Sequence, residues 1–438
     1  MLKLAFLLIG PASFRGHWHG IAALGVGLMV LAALVVTDVV PAISAITYHA
    51  LGLAFAVYGA LALAAAAVAR RGALACLAPA ASMLAGLAVL LAPIESDLAL
   101  GLFYAVLLLV DGVGRIVPAM VGRYVGWRIH VAVAVGEFVL ALLLIAGWPI
   151  PRTHAVHFCV GVFIGGAGWL LLRLGVMLRT LEEEVAILML PLFAGRGWYE
   201  HAPILVEDDA GARRQAEPIL VRVWTPRGCA NITDRLPILD RYIGAVDRDG
   251  SISTGHSSME VAPDVYISHY PRQEMTRSSN HFLHALRGSK ENDAPGLFQP
   301  SYAAEVAQWV EADREVRFHT YNARRLRAFW IGYRQDSTYN VVNRNCSTVI
   351  AGALDAALEG VLATDRPWQR LLALLVNPDM WLAGLMRLRA DSATWTPGFL
   401  LDYAVPLARI VDRPDLSWHH RFTWFLARFR RPEETGAD

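Results

Sequence analysis

The sequence predicts an α-helical membrane bundle followed by an α+β cytoplasmic domain, and two observations carry this fold class. Hydrophobic residues make up 55% of the 438-residue chain and charged residues only 18%, a composition too apolar for an ordinary soluble protein. The apolar residues are also concentrated, because the chain is almost continuously apolar from Gly20 to Arg179, whereas strand-like and turn-like segments alternate beyond Gly195. We therefore expect a membrane domain over residues 1–182 and an interfacial connector over residues 183–194.

Six membrane spans are predicted, at approximately 20–40, 43–69, 73–93, 98–120, 127–148 and 154–178. Each is near the roughly 20 residues that a helix needs to cross a bilayer. Residues 1–10 carry Lys3 and a short apolar run, and no small-residue cleavage site of a signal peptide follows them. This segment is predicted to be a lead-in that lies on the membrane surface.

Short motifs recur through the spans and indicate a threefold repeat of a helical hairpin. The pattern Gly-x-x-Val-Leu marks the first helix of each hairpin, and a single glycine marks the second. The first set begins at Gly27, Gly86 and Gly136, and the second set is Gly59, Gly112 and Gly168. Small residues at matching depth let helices approach closely, so most of these glycines are predicted to be packing positions. A six-span protein built from three such hairpins resembles the HdeD-type acid-resistance membrane proteins, which implies a role in stress or acid tolerance.

The charged residues between the spans predict the orientation, because cytoplasmic loops carry an excess of Lys and Arg. Alternate loops carry acidic residues, with Arg152 as the only cation among them. The cations on one side are Lys3, Arg15, Arg70, Arg71, Arg123, Arg128, Arg173 and Arg179, and the acids on the other are Asp38, Glu95 and Asp97. We therefore expect a multi-pass protein of the inner (plasma) membrane, in contact with the lipid bilayer, whose N-terminus and C-terminal domain are cytoplasmic.

Three ionisable residues lie within the predicted spans, and two interpretations of them stay open. Asp111 and Arg115 are four residues apart on one helix face, so they can neutralise each other while facing the bundle. Alternatively, Asp111 and Glu137 take part in a proton or ion relay, since ionisable residues inside a membrane are often functional.

Cys346 is the candidate nucleophile of the C-terminal domain. Apolar residues from Val349 onward fall at helical spacing, so Cys346 lies where a helix begins, directly after Asn345. The positive end of the helix dipole lowers the pKa of a thiol in that position from about 8.5 toward neutrality. The alternative interpretation is that Cys346 is a buried core residue, which is the usual fate of a lone cysteine.

His256 is the candidate base, because a nucleophilic thiol needs a proton acceptor. Residues 241–261 indicate a strand, a turn and a second strand that holds His256 on a rigid sheet. A third polar group must fix the imidazole tautomer. His269, at the end of the next predicted strand, is the first candidate, and Glu260 and Asp264 are secondary candidates.

The order of Gly255-His256, His269 and Asn345-Cys346 resembles the circularly permuted papain-like superfamily, which includes the lecithin:retinol acyltransferases and the NlpC-type peptidases. The resemblance covers residues 195–365. It implies a cysteine hydrolase in which Cys346 attacks an amide, ester or thioester. Ser347-Thr348 departs from the residues that usually follow the cysteine in the acyltransferases. Residues 366–438 are predicted to form a helical, amphipathic, membrane-proximal tail.

These observations together predict a stress-linked, membrane-tethered cysteine peptidase or amidase that acts on a peptide, or on another acyl or amide substrate, at the membrane face. A lipid acyltransferase, a non-enzymatic stress-response protein and a proton-handling or ion-handling membrane protein are the alternatives. No cofactor, metal or nucleic acid is expected, because the net charge is +1, His281 and His284 lack a third ligand, and the cysteines are far apart at positions 76, 159, 229 and 346. The sequence leaves homo-oligomerisation open.

Overall fold

The computed structural model describes residues 2–39, 41–68, 73–91, 97–123, 127–149, 151–180, 211–226, 239–242, 245–246, 252–273, 288–392 and 394–412. Several predicted features lie outside these residues. They are the interfacial connector at 183–194, the histidines at positions 281 and 284, and the last part of the predicted tail, residues 413–438.

The N-terminal part consists of eight helices within the described residues. In chain order they are α1 (Leu2–Ile9), α2 (Pro11–Arg15), α3 (Trp18–Thr37), α4 (Pro41–Val68), α5 (Ala73–Leu91), α6 (Asp97–Gly122), α7 (Trp127–Ala146) and α8 (Arg152–Thr180). Helices α3 to α8 coincide with the six predicted spans. Five of them (α3, α4, α6, α7 and α8) contain segments long and apolar enough to cross a membrane. The chain is thus a multi-pass membrane protein, and a crossing by α5, whose apolar segment is only Pro79–Leu91, stays a prediction.

The tightest helix pairs in the bundle are α4 with α5, α6 with α7, and α8 with α3. Each pair joins the second helix of one predicted hairpin to the first helix of another, as a threefold arrangement requires. A Cβ atom added at Gly59 would lie 2.3 Å from the backbone nitrogen of Met83, and one at Gly168 would lie 2.7 Å from the carbonyl oxygen of Gly25. Close packing is confirmed in the same way at Gly112 and Gly86.

The two remaining glycines of the repeat are not packing positions. A Cβ atom at Gly27 or Gly136 would meet nothing within 4 Å among the described residues. In α3 the close approach occurs instead at Gly25, two residues earlier, where a Cβ atom would lie 2.5 Å from the backbone nitrogen of Leu172. Sequence recurrence therefore identified the helix but not always the face that packs.

Helix α1 does not lie on the membrane surface, so the predicted lead-in is wrong. Its residues from Leu4 to Ile9 are buried in the same hydrophobic core as the C-terminal domain. The backbone N–H of Gly360 donates to the carbonyl of Leu7 at 2.9 Å, and that of Leu362 donates to Leu8 at 2.8 Å. A short apolar run can cover protein as well as lipid, and here the N-terminus completes a core formed more than 300 residues later in the chain.

The C-terminal part is a mixed α+β domain. In chain order its elements are β1 (Arg213–Trp224), α9 (Leu239–Tyr242), β2 (Ala245–Val246), β3 (Ile252–Ser253), β4 (His256–Val261), β5 (Val265–Ile267), β6 (His269–Pro271), β7 (Ala294–Phe298), α10 (Tyr302–Gln308), β8 (Arg314–Tyr321), α11 (Ala323–Tyr333), β9 (Thr338–Tyr339), α12 (Cys346–Leu358), α13 (Pro367–Leu375), α14 (Pro378–Ser392) and α15 (Pro397–Asp412). Strands β5, β4, β1 and β8 form an antiparallel sheet in that order, and β6, β7 and β9 form a smaller sheet.

Helix α12 is the centre of this domain, because every one of its residues is buried. It packs against β4, α11 and α15. A buried ion pair ties it to α14, since both terminal nitrogens of Arg387 donate to the carboxylate of Asp355 at 2.6 Å. Helices α13 to α15 therefore belong to the domain core, which extends beyond the predicted boundary at residue 365 and leaves no separate tail over residues 366–412.

Candidate active site

Cys346 is the first residue of α12, as its sequence context predicts. Asn345 precedes the helix in an extended conformation, and its Oδ1 accepts a hydrogen bond from the backbone N–H of Thr348 at 2.8 Å. The Asn345 Nδ2 group donates to the carbonyls of Val341 at 2.6 Å and Trp395 at 3.0 Å. Asn345 thus caps the helix and is itself fixed on both sides, which gives Cys346 a defined position.

His256 is the first residue of β4 and lies opposite Trp224 of β1. Gly255, just before it, has a φ of +68°, and a Cβ atom there would lie 2.3 Å from the carbonyl oxygen of Trp224. Only glycine accepts this conformation and this close approach without strain. The Gly-His pair is therefore a backbone requirement: the chain turns tightly at Gly255 and delivers His256 to the edge of the sheet beside β1.

The side chains of Cys346 and His256 meet because β4 packs on α12. Burial lowers the pKa of His256, but the charge and hydrogen bonds of Cys346 and Glu305 outweigh it and raise that pKa to about 9. Burial likewise raises the pKa of the Cys346 thiol, yet the interaction with His256 brings it below its ordinary value. Each group thus stabilises the charged form of the other, as in a thiolate–imidazolium pair.

Glu305 lies on the other side of the His256 ring. The Nε2 atom of His256 is 3.3 Å from Glu305 Oε1 and 2.9 Å from the hydroxyl of Ser268. The hydroxyls of Ser268 and Tyr266 both donate to the Glu305 carboxylate, which is only 2% exposed. These contacts leave Nδ1 of the imidazole available to the thiol. Glu305 was missed by the sequence analysis, and it supplies the negative charge that stabilises the imidazolium.

His269 does not contact His256 in the way we expected. Its Nδ1 is 3.1 Å from the Tyr333 hydroxyl, and its Nε2 is 3.2 Å from the carbonyl oxygen of Ser337. Burial lowers the pKa of His269 to about 4, and the nearby positive charge of Arg344 acts in the same direction. The orienting position next to His256 is occupied by Glu305. Successive side chains of an extended segment point to opposite sides, so Ser268 contacts His256 while His269 contacts Tyr333.

The two secondary candidates also lie away from His256. Glu260 forms an ion pair with Arg222 across the β1–β4 register. The carboxylate of Asp264 accepts two hydrogen bonds from Arg327, at 2.7 and 3.0 Å. Both acids therefore have cationic partners of their own.

The intramembrane ionisable residues form one cluster. Arg115 Nη2 is 2.5 Å from Asp111 on the same helix, and its Nε is 3.2 Å from Glu137 on α7. The Asp111 side chain is 62% exposed at the bundle surface, whereas that of Glu137 is 13% exposed. Asp111 and Arg115 pair as predicted, but Asp111 is exposed and does not face the bundle interior, and Arg115 additionally bridges to the neighbouring helix.

Among the described residues, no group of three or more His, Cys, Asp or Glu side chains is arranged to hold a metal ion. Comparison of the chain with protein-family models, curated proteins and solved structures gives no match.

Proposed function

We propose that the protein is a membrane-tethered cysteine hydrolase that acts on an amide, ester or thioester close to the cytoplasmic face of the membrane. One observation carries the proposal: Cys346 at a helix N-terminus, His256 and Glu305 form a buried chain in which the pKa of the thiol is lowered and that of the imidazole is raised. A nucleophile, a base and a group that orients the base are the parts that nucleophilic acyl transfer requires.

In the proposed reaction, the Cys346 thiolate attacks the substrate carbonyl carbon and the electron pair moves to the carbonyl oxygen. Backbone N–H groups in the first turn of α12 stabilise the resulting oxyanion. The His256 imidazolium gives its proton to the leaving group, and an acyl-enzyme forms. Neutral His256 then takes a proton from water, which attacks the acyl-enzyme and releases the acid. Glu305 holds the ring and stabilises its charged form throughout.

The position of the domain supports a substrate near the membrane. The first residues of α3 and the last turns of α8 contribute Ile21, Leu174 and Leu178 to the same hydrophobic core as α12. The backbone N–H of Gly288 donates to the carbonyl of Gly122, the last residue of α6, at 2.6 Å. Gly288 in turn accepts a hydrogen bond from the side chain of Asn343, three residues before Cys346. These helix ends carry the predicted cytoplasmic arginines. The arginines favour a location of the site at the inner face, where the proposed substrates are peptides or amides. An acyltransferase would use an alcohol or amine in place of water.

The test is the pH dependence of alkylation of Cys346 by iodoacetamide in native membranes, with Cys346→Ser to assign the signal. Rapid labelling between pH 6 and 7 is expected, because the lowered pKa of the Cys346 thiol increases the thiolate fraction there. Slow labelling that follows the ordinary thiol pKa near 8.5 would make Cys346 structural and would favour a non-enzymatic binding role for the domain.

A second candidate function is proton or ion handling by the bundle, and the bridging position of Arg115 between Asp111 and Glu137 favours it. Two carboxylates that share one guanidinium leave one acidic group to take up and release a proton. The test is proton flux in liposomes, with Glu137→Gln compared against Cys346→Ser. Loss of flux in Glu137→Gln alone would support this candidate, and no flux in the wild-type protein would remove it.

A further inference from the structure

We propose that the bent helix pair formed by residues 367–391 is a lipid-embedded wedge. It lies beside α4 and contacts the acyl chains and anionic headgroups of phospholipids in the leaflet next to the α+β domain. The proposal concerns an interaction surface, and it does not depend on the chemistry of Cys346.

The composition and shape of the pair are those of a broken membrane segment. Taken together, Pro367–Leu375 and Pro378–Asp391 are as apolar as a membrane span, but they are bent by 80° at the break between them. Two polar groups at the bend have partners within the chain: Asn377 Oδ1 accepts from the backbone N–H of Asp379 at 3.0 Å, and Trp381 Nε1 donates to the carbonyl of Leu375 at 2.5 Å. The Nδ2 group of Asn377 is buried without a hydrogen-bond partner among the described residues. A bend in apolar surroundings needs such internal partners, and the hydrogen bonds of Asn377 Oδ1 and Trp381 Nε1 supply part of them.

The pair has two apolar faces. One face packs into the domain core through Leu371, Leu374, Met380, Ala383 and Met386. The other face is open, with Leu372 64% exposed, Val376 40% exposed and Leu388 62% exposed. An isolated apolar side chain at a surface needs no explanation, but three on this helix pair, Leu372 and Val376 before the break and Leu388 after it, indicate an apolar partner.

The contact with α4 identifies that partner as lipid. The ring of Trp381 lies 4.9 Å from the ring of Tyr58. Tyr58 is six residues, or about 9 Å, from the end of the apolar segment Ala45–Ala64. Leu53 and Val57 of the same helix are 56% and 48% exposed on the bundle surface. The open face of the pair therefore continues a surface that a membrane-spanning helix turns toward lipid.

The charges around the pair agree with this placement. Arg366 and Arg370 flank the start of α13, where long basic side chains can reach anionic headgroups while their stems stay in apolar surroundings. The acidic residue at the bend, Asp379, lies 3.4 Å from Arg409. A charge near the hydrocarbon is tolerated when it is paired in this way.

The same helix leads to the candidate active site. Just beyond the end of α14, Thr394 and Trp395 accept hydrogen bonds from Asn345 at 3.1 and 3.0 Å. With the rise of about 1.5 Å per residue of an α-helix, Trp381 and Thr394 are separated by about 20 Å along the helix axis. A lipid-embedded wedge would therefore place Cys346 within reach of acyl groups or peptide segments that emerge from the bilayer.

Spin labels at two exposed positions test the proposal in the full-length protein. Leu372→Cys and Val376→Cys would each be labelled with a nitroxide in a background in which the four native cysteines are replaced. The protein would be placed in vesicles of phosphatidylcholine and phosphatidylglycerol. Collisions with oxygen, which concentrates in lipid, would be compared with collisions with a water-soluble nickel chelate. We expect oxygen collisions to exceed nickel collisions several-fold at both positions.

Two matched positions calibrate this measurement. Leu53→Cys on α4 should give the lipid profile, and Arg317→Cys on β8, where the side chain is 65% exposed, should give the water profile. These two profiles also verify that the background protein is folded. If labels at 372 and 376 give the profile of position 317, the wedge lies in water and the proposal is overturned. If both reagents are excluded, a protein surface covers the face, and the proposal is overturned equally.

Discussion

His256 and His269 lie on strands of two different sheets in the same domain, and both are buried, yet their surroundings favour opposite charge states. His256 lies next to the carboxylate of Glu305, and its pKa rises to about 9. His269 lies among aromatic rings and carbonyl groups, and its pKa falls to about 4. Burial disfavours the charged form of both rings, so the difference comes from the buried carboxylate and from the thiol that only His256 contacts.

The shell around His269 explains its neutral state. The rings of Phe298, Tyr339 and Tyr333 surround it at centroid distances of 4.7, 5.1 and 5.7 Å. The guanidinium of Arg344 lies over the Tyr333 ring and adds a positive charge to the neighbourhood. The Nε2 atom of His269 also forms a hydrogen bond with the carbonyl oxygen of Ser337, which lies in the segment that leads to Cys346. We infer that His269 is a positioning residue for this segment, whereas His256 acts on the thiol.

The largest expected effect is that of His256→Ala on the alkylation of Cys346. Without the imidazolium, the thiol returns toward its ordinary pKa near 8.5, so at pH 6.5 only about 1% of it is thiolate. The rate of labelling by iodoacetamide at pH 6.5 should therefore fall about 100-fold, while the rate at pH 10 changes little. The measurement is mass-spectrometric quantification of labelled Cys346 across pH.

The matched control for this experiment is His269→Gln, which removes the other buried imidazole but keeps a group that can hydrogen-bond. Its labelling profile should keep the wild-type midpoint. Equal losses of labelling at pH 6.5 in the two variants would contradict the division of roles between the histidines.

The second effect concerns the stability of the fold in acid. The pKa of His269 is about 6.5 in the unfolded chain but about 4 in the folded protein. The unfolded chain therefore binds the proton more tightly, and acid favours unfolding. Stability from the neutral ring is present above pH 6.5 and is lost as the pH falls toward 4. Between pH 7 and pH 5 this amounts to about 2 kcal/mol. The loss in melting temperature over that pH range should be smaller in His269→Gln than in the wild-type protein, and an identical loss would refute the assignment.

The sequence predicted those parts of the site that have local signals. Two residue pairs predict the local backbone: a Gly-His pair predicts a tight turn before a strand, and an Asn-Cys pair predicts the start of a helix. The structure places Gly255-His256 and Asn345-Cys346 at the starts of those elements. Glu305 has no such signal. It lies on the short helix α10 and reaches His256 only because α10 packs beside β5 in the folded domain. In the sequence, Glu305 looks like any acidic residue on the solvent-exposed side of a helix.

The fold could be predicted to a similar extent. The periodicity and length of the apolar segments located helices α3 to α8, because a membrane-spanning helix is defined by its own composition. The role of α1 could not be predicted in this way, since the pattern Leu-Lys-Leu-Ala-Phe-Leu-Leu-Ile fits lipid and protein surfaces equally. Its true partners, Gly360 and Leu362, lie at the opposite end of the sequence.

The third effect tests the carboxylate that distinguishes the two histidines. Glu305→Gln keeps the size of the side chain but removes its charge, which lowers the pKa of His256 and weakens its support of the thiolate. Alkylation of Cys346 at pH 6.5 should fall about tenfold, which is the effect of roughly one pKa unit. Glu260→Gln is the control, because Glu260 forms an ion pair with Arg222. A loss in the Glu260 variant as large as that in the Glu305 variant would mean that the acidic character of the sheet, and not the contact with His256, sets the thiol pKa.

The smallest effect is expected at the turn between the strands that lead from one histidine to the other. Asp264 in this turn forms an ion pair with Arg327 at 2.7 Å, but both side chains are largely exposed, so the pair stabilises the fold by less than about 1 kcal/mol. Asp264→Asn should lower the melting temperature only slightly and leave the pH profile of Cys346 labelling unchanged, and Arg327→Gln should behave in the same way because it removes the other half of the pair. A shifted labelling profile in both variants would show that the β4–β5 turn controls the position of His256, and the two histidines would then share a support that their separate contacts do not reveal.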